Sequence, residues 1–369
     1  MDAAPTLPPE KLRTFRAELD ALRMEQAAQI GPDDARYIRR IRAIARASHV
    51  AGRVLIHCSL DPVTWSAGVL SLAAYKMIEN MELGHNVLHG QYDFLRDPTL
   101  SSRTYEWDIV APAKSWKRAH NATHHVYTNV IGRDGDFGYD QFRFSDEVPW
   151  RPRHLLQPIT SPLSGLLFQW SVAAFDVDAD DPADRRLLWR KAARKTLAEY
   201  VLYPALAGPM APKVALGNAV ANGMRNLWAY AVIYCGHLTE RAATFPASSL
   251  ATEDRGRWYL RQVTGSGNFE IGRVGRVLSG HLGYQIEHHL FPNLPAWRYP
   301  RIAPRVRDIC RRHGVPYDTG TLRSQFTSAM RRLVRHALPP RASRVRAGGP
   351  GADAQGREPP VAAATGSGR

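Results

Sequence analysis

The pattern of apolar and polar residues predicts a chain built mainly from helices. Residues 9–30 place apolar side chains at helical spacing among charged ones (Leu12, Phe15, Leu19 and Leu22). Gly31-Pro32-Asp33-Asp34 breaks this pattern and caps a second helix, in which isoleucines alternate with arginines. A basic amphipathic helix lies on a membrane surface or packs on its own domain, and the segment alone slightly favours packing. Residues 1–48 are therefore predicted to form N-terminal amphipathic helices.

Three apolar stretches are candidates for membrane spans. Residues 62–75 carry no charge, but 14 residues fall short of the ~20 that cross a bilayer, unless the span extends past Asp61 or Lys76. Residues 155–175 give 21 residues without a charge and are the best candidate. Residues 201–236 are long enough for a helical hairpin, and residues 48–83 can form another. The mean hydropathy of −0.34 is nevertheless low for a membrane protein.

Charge narrows the possible partners. The net charge is +15 and the pI is near 10.0, with an excess carried mostly by arginine. Arginine favours phosphate and carboxylate groups, so nucleic acid, anionic lipid headgroups and an anionic cofactor such as CoA compete. No zinc-finger spacing or nucleic-acid-binding motif is present, which makes nucleic acid the weakest of the three.

The cysteines and the two ends of the chain give less information about function than the charge does. The three cysteines are far apart and form no CxxC, so neither a disulfide scaffold nor a cysteine zinc site is supported. The N-terminus has no secretory pattern, and we expect it to stay in the cytosol. Residues 340–369 are rich in Gly, Ala, Arg and Pro without periodicity, which is typical of a disordered tail.

The histidines carry the strongest chemical pattern. Seven of the 14 histidines fall in three short boxes: His85 and His89 in HNVLH, His120, His124 and His125 in HNATHH, and His288 and His289 in QIEHH. Neutral imidazole is the commonest metal ligand in proteins. His237, just after an apolar segment, is an eighth candidate.

The number of histidines indicates two metal ions, because a mononuclear site uses three or four protein ligands. Calcium and magnesium prefer oxygen ligands, so zinc, iron and copper remain. A carboxylate-bridged di-iron bundle needs two Glu-x-x-His motifs, and only Glu82 to His85 supplies one. The zinc-protease motif His-Glu-x-x-His is absent. The residues therefore predict a histidine-rich dimetal centre.

In this order and separation the boxes resemble those of the membrane-bound fatty-acid desaturases. The flanking sequences GHNVLHG, HHVYTN and QIEHHLFP extend the similarity, which runs from about residue 35 to residue 339. Within that family, the chain is similar to actinobacterial acyl-CoA desaturases of the stearoyl-CoA delta-9 type.

The resemblance implies an all-α integral membrane protein, with about four transmembrane helices in residues 49–339 and a cytosolic helical cap. It implies two non-haem iron ions, held by the seven boxed histidines and His237. O2 would be the co-substrate, and a long-chain acyl-CoA or acyl-lipid would gain a cis double bond, with delta-9 favoured. Electrons would come from NADPH through an iron–sulfur flavoprotein reductase or ferredoxin. The boxes and both termini would face the cytosol at the cytoplasmic membrane.

Several residues are predicted to support the ligands. Gln285 stands where many relatives have a histidine, so we expect it to contact the site directly or through water. Glu287, Asn129 and Asp136 are predicted to hold ligands in place, and His281 to be structural. Arg and Lys at the mouth of an apolar tunnel would hold a CoA head. A fatty-acyl or alkyl hydroxylase of the same superfamily and a non-enzymatic membrane protein that binds metal or haem are the alternatives.

Overall fold

The computed structural model describes residues 6–340, and these residues are mostly helical. The longer helices are α1 (Pro9–Ala28), α2 (Pro32–Cys58), α3 (Pro62–Met77), α7 (Gln157–Leu166), α8 (Phe168–Asp176), α9 (Pro182–Leu197), α11 (Ala211–His237), α12 (Arg255–Thr264), α15 (Tyr299–His313) and α16 (Leu322–Ala337). Shorter ones are α4 (Asn86–Leu88), α5 (Ala113–Trp116), α6 (His125–Tyr127), α10 (Tyr203–Ala205), α13 (Arg273–Leu278) and α14 (Gln285–Leu290).

Other helical types and one small sheet complete the fold. Three segments are π-helical: Ile78–His85, Lys117–His124 and Ala198–Leu202. Short 3₁₀ turns occupy Asp93–Leu95, Pro98–Leu100, Pro152–Leu156, Gly208–Met210, Ala247–Thr252, Leu282–Tyr284 and Ala296–Arg298. Strands β1 (Asn268–Glu270) and β2 (Thr319–Thr321) pair in parallel, with Phe269 opposite Gly320. The predicted all-α class is confirmed. Residues 341–369, which hold the predicted tail, lie outside the described residues.

Helices α2 and α3 form the hairpin that the sequence predicted for residues 48–83. Asp61 ends the connection by accepting hydrogen bonds from the backbone of Val63 and Thr64 at the start of α3. Gly52 lets the two helices meet closely, because a Cβ there would lie 2.7 Å from the backbone nitrogen of Leu72. Helix α2 runs through residue 48 without a break, so the predicted boundary between residues 48 and 49 falls inside a helix.

Residues 155–175, the best candidate for a membrane span, do not form one continuous helix. The chain forms α7 and α8 there, with a break at Leu167. Pro162 lies inside α7 and lacks a backbone N–H to donate. The Ser161 hydroxyl contacts the Tyr230 and Tyr234 hydroxyls, so α7 lies beside the end of α11 that carries His237. The lack of charge therefore indicates apolar helices here, but it does not indicate one continuous helix.

Residues 201–236, which are long enough for a helical hairpin, do not form one within those bounds. Residues 211–237 form the single helix α11, and the turn that precedes it lies at residues 206–210. Gly208 supplies that turn with a positive φ of 56°, a conformation that glycine adopts without strain.

No helix in residues 6–340 combines the length and the apolar content needed to cross a membrane.

The N-terminal helices pack on the rest of the protein, as the sequence slightly favoured. Phe15 and Leu19 of α1 are buried against a cluster that includes Tyr259 and Ile302. Ile38 of α2 is buried in another cluster with residues next to the first histidine box. The amphipathic faces of α1 and α2 thus help to cover the part of the fold that holds the histidines.

Asp34 joins the start of α2 to the start of α15, and we expect its loss to destabilise the fold. Its buried carboxylate accepts two hydrogen bonds from Arg298, each 2.7 Å long. Asp34→Asn leaves the mostly buried guanidinium without its anion, which should cost about 3 kcal/mol. The thermal unfolding midpoint should fall accordingly. Asp33→Asn, at an exposed neighbour that forms an ion pair with Arg36, is the control and should change little. Equal midpoints for both variants would contradict this account.

Candidate metal centre

The three histidine boxes and the end of α11 meet at one buried site. The ring centroids of His89 and His288 lie 4.7 Å apart, and those of His125 and His289 lie 4.3 Å apart. The His237 ring lies 4.6 Å from both His124 and His289. The structure therefore brings together all eight histidines that the sequence selected as ligands.

A π-helical turn places the three histidines of the second box on one side. The backbone N–H of His125 donates to the carbonyl of His120, five residues earlier. In an α-helix, a residue five positions on is rotated by about 140° and points away. A turn closed by an i to i+5 hydrogen bond returns it to roughly the same side. His120, His124 and His125 can therefore all face the site.

The other two boxes use ordinary helical turns. The backbone N–H of His89 donates to the carbonyl of His85, so these side chains share one α-helical face. His288 and His289 are adjacent on α14, and their rings are nearly perpendicular at 88°. Adjacent residues on a helix point in different directions, so each can serve a different metal ion.

The arrangement of the nitrogens fits two metal ions. One group consists of His85, His89, His120 and His288, and a second of His124, His237 and His289. His125 joins His288 and His289 in a third group, and within each group the ligand atoms lie within 4.8 Å of one another. Imidazole nitrogens bind metal at about 2.0–2.1 Å, so a group of this size can close around one ion.

Unpaired nitrogens give independent support for metal binding. Among the described residues, no hydrogen-bond partner contacts His89 Nε2, His120 Nε2, or either ring nitrogen of His125 and His288, although all are buried. Two facing nitrogens, His237 Nε2 and His289 Nε2, lie 3.1 Å apart. Buried polar atoms normally have partners, so a cation is the simplest occupant for this set of lone pairs.

Burial keeps most of these rings neutral, as metal binding requires. It lowers the pKa of His85 to about 4 and places the pKa values of His89, His120, His125, His288 and His289 well below the ordinary value. His124 differs, because Asp134 outweighs the effect of burial and raises its pKa.

Four polar side chains orient the rings. His120 Nδ1 and His124 Nδ1 each lie 3.0 Å from a carboxylate, of Asp136 and Asp134 respectively. His289 Nδ1 lies 2.9 Å from Gln262 Oε1, and His85 Nδ1 lies 3.1 Å from Asn86 Oδ1. Such partners fix which nitrogen is free for the metal. Asp136 was among the residues that the sequence predicted to hold ligands in place, but nothing in the sequence marked Gln262, which lies outside every box.

The remaining predicted residues occupy distinct positions. Gln285 lies at the site, with its side-chain nitrogen 2.7 Å from His237 Nε2. Glu287 is directed away from the rings and accepts hydrogen bonds from Asn268 and Tyr317. Asn129 donates to the backbone carbonyls of two separate segments, at Ala243 and Gly265.

His281 lies outside the histidine cluster. Its Nδ1 is 3.0 Å from the buried carboxylate of Glu82, which also accepts a hydrogen bond from Tyr37. It belongs to none of the metal-binding groups found in residues 6–340. The contact gives His281 a structural role in joining the π-helix before the first box to the segment before the third.

An apolar cavity adjoins the histidines. His85, His120, His124, His237 and Gln285 form part of its wall. The rest is mostly apolar and includes Met81, Trp107, Ile109, Trp116, Phe137, Phe168, Val172, Ile233, Leu238 and Leu282. An apolar chain placed in this cavity would pass close to the metal ligands.

Comparison with known proteins gives a consistent result. The profile of the fatty acid desaturase family matches residues 63–321. The chain is 40% identical over 343 residues to the NADPH-dependent stearoyl-CoA 9-desaturase of Mycobacterium tuberculosis, covering 89% of this chain and 80% of that protein. It is 27% identical over 252 residues to the sn-1 linoleoyl-lipid 6-desaturase of Arthrospira platensis, covering 64% and 67%.

Two substitutions distinguish a ligand from a neighbour. His289→Ala removes a nitrogen from two of the metal-binding groups and should lose bound metal. His281→Asn should keep it, because asparagine tolerates the positive φ of 58° at this position and its amide can donate to Glu82. Metal content per chain by inductively coupled plasma mass spectrometry measures both. Loss of metal in His281→Asn together with retention in Gln285→Ala would show that the two residues have the opposite roles.

Proposed function

The chain belongs to the fatty acid desaturase family, and on that premise we propose that it introduces a cis double bond into a long-chain fatty acyl-CoA in an O2-dependent reaction. The observation that carries this proposal is the position of the eight histidines, at the wall of an apolar cavity. The favoured position of the double bond is carbon 9, supported by the 40% identity to the stearoyl-CoA 9-desaturase of Mycobacterium tuberculosis.

The histidines would hold two non-haem iron ions. When bound, the irons supply the oxidising power that O2-dependent attack on an unactivated C–H bond requires, which side chains lack. The protein's part is to hold this pair in place. Asp134, Asp136 and Gln262 fix the rings through hydrogen bonds, and burial keeps most of them unprotonated for the metal.

The cavity would orient the acyl chain. Trp107, Phe168 and Val172 offer apolar surface that excludes water and gains free energy by covering methylene groups, at about 0.8 kcal/mol for each. The position of the chain along the cavity would decide which carbons lie beside the histidines. The shape of a rigid cavity would therefore determine the position of the double bond.

Electron supply and substrate class follow by analogy. The 40% identical relative is named as NADPH-dependent and as acting on stearoyl-CoA. We propose that electrons reach this protein from NADPH through a separate iron–sulfur flavoprotein reductase or a ferredoxin. The excess of arginine supports an anionic substrate head such as CoA.

We further propose that the protein is embedded in the cytoplasmic membrane, with the histidines and both termini on the cytosolic side. The support is a set of large apolar side chains on the surface, among them Leu60 at 93%, Val63 at 79% and Leu206 at 70% exposed. Leu60 and Val63 lie at the turn between α2 and α3, and Leu206 lies at the turn before α11. Lys213 joins the turns by donating to the Ser59 carbonyl at 2.6 Å, so both turns lie at one end, remote from His237.

This topology can be tested by cysteine labelling. Cys58 is exposed at the α2–α3 turn, whereas Cys235 and Cys310 are buried and should stay silent. In sealed vesicles, Cys58 should react only from the non-cytosolic side. In a Cys58→Ser background, Ala122→Cys and Ala251→Cys, both at exposed positions, should react only from the cytosolic side. Labelling of positions 122 and 251 from opposite sides would refute the proposal.

The activity itself is tested by expression in cells that lack their own desaturase. We expect monounsaturated fatty acids with a cis bond at carbon 9, identified by gas chromatography and mass spectrometry of derivatives that report the bond position. His289→Ala is the control and should give none. Hydroxylated fatty acids in place of alkenes would instead indicate a hydroxylase, and no new fatty acid with normal expression and bound metal would contradict both.

A further inference from the structure

Asp176 is a buried acid that the metal centre does not use. It is the last residue of α8 and is only 5% exposed. Its Oδ2 has no hydrogen-bond partner among residues 6–340, yet the side chain lines the same cavity as His120, His124 and His237. An unpaired buried polar atom costs about 1–3 kcal/mol of stability. An unpaired carboxyl oxygen at the wall of a cavity therefore indicates a hydrogen-bond partner inside the cavity.

The main chain of Asp176 lies near the protein surface. Its backbone carbonyl accepts a 2.8 Å hydrogen bond from Arg118, whose side chain is 44% exposed. Val177 comes next and is buried, and residues 178–180 after it are exposed. Asp176 therefore stands between the surface and the interior of the cavity, where the polar end of an elongated apolar ligand would lie.

The carboxyl group is suited to donate a hydrogen bond. Burial, with the nearby charge of Asp136, raises the pKa of Asp176 well above its usual range, which favours the protonated carboxyl group. Asn80 and Asn129 also line the cavity with an unpaired side-chain oxygen, but an amide oxygen only accepts. A fatty acyl chain has one polar group, its carbonyl, and that group also only accepts.

We propose that Asp176 is a positioning residue whose carboxyl O–H donates a hydrogen bond to the carbonyl oxygen of the acyl substrate and so sets which carbons lie beside the histidines. The proposal rests on the proposed function, because it requires an acyl chain in the cavity. The hydrogen bond would fix the distance between the substrate carbonyl and the metal ligands. Asp176 would thereby help to determine the position of the new double bond.

The test compares two substitutions at this position. Asp176→Asn keeps a hydrogen-bond donor, whereas Asp176→Leu has similar bulk and none. In membranes supplied with NADPH and stearoyl-CoA, Asp176→Leu should raise KM about tenfold, the effect of one lost hydrogen bond, with a smaller change in kcat. Its products should include more than one double-bond position. Asp176→Asn should restore a single position and a KM near that of the unchanged protein.

Stability separates this role from a purely structural one. Because an unpaired carboxyl is removed, Asp176→Leu should match or exceed the unchanged protein in thermal unfolding midpoint. Stearoyl-CoA should raise that midpoint in the unchanged protein, and Asp176→Leu should need about tenfold more ligand for the same shift. This readout does not depend on turnover.

Asp176→Ala serves if the leucine variant does not fold, and Asp180→Asn, at an exposed acid on the following loop, is the control.

The outcomes are distinct. Wild-type KM, ligand shift and product position in the leucine or alanine variant would overturn the proposal. An asparagine variant that is as defective as the leucine variant, with its metal retained, would also overturn the proposal. That result would indicate that the protein needs the proton of the carboxyl group and not only a hydrogen-bond donor. An unchanged protein that makes no alkene would refute the proposed function instead, and the ligand shift would still report on Asp176.

Discussion

The structure is organised around the burial of eight neutral imidazoles in one small space. Their lone pairs repel one another and most have no hydrogen-bond donor nearby, so without cations the cluster would be an unfavourable core. Metal ions turn the same lone pairs into the strongest local interaction. Metal binding requires neutral rings in fixed orientations. Burial lowers the pKa values of most of the rings, and carboxylates contact the Nδ1 atoms of His120 and His124. Four separate chain segments meet there to supply the histidines.

The helices around the site also contain charges, and these are paired inside the protein. Lys76 of α3 contacts Glu199, and Lys195 of α9 contacts Asp108 at 2.6 Å. Asn222 of α11 donates to the same Glu199 carboxylate. Buried charges are stable only when paired in this way. The network ties α3, α9 and α11 together and accounts for the charged and polar residues buried between these helices.

The sequence predicted which histidines come together, because each box places its histidines by local geometry. The hairpin that it allowed for residues 48–83 is present as α2 and α3, but the turn between them at Asp61 was not predicted. The sequence could not reveal the π-turn that brings His125 beside His120, since both helix types share one sequence pattern. It could not identify Gln262, whose contact with His289 depends on the tertiary fold. Counting uncharged residues failed at 155–175, because a break at Leu167 separates α7 from α8.

The central claim is that these histidines hold two iron ions in each chain. The most direct measurement is Mössbauer spectroscopy combined with metal analysis on protein produced with iron-57 and purified without chelators. The account predicts two non-haem irons per chain in nitrogen-rich coordination and no haem absorption, with the iron absent from His289→Ala. A single zinc ion per chain, or a bound haem, in protein that also desaturates fatty acids would contradict it.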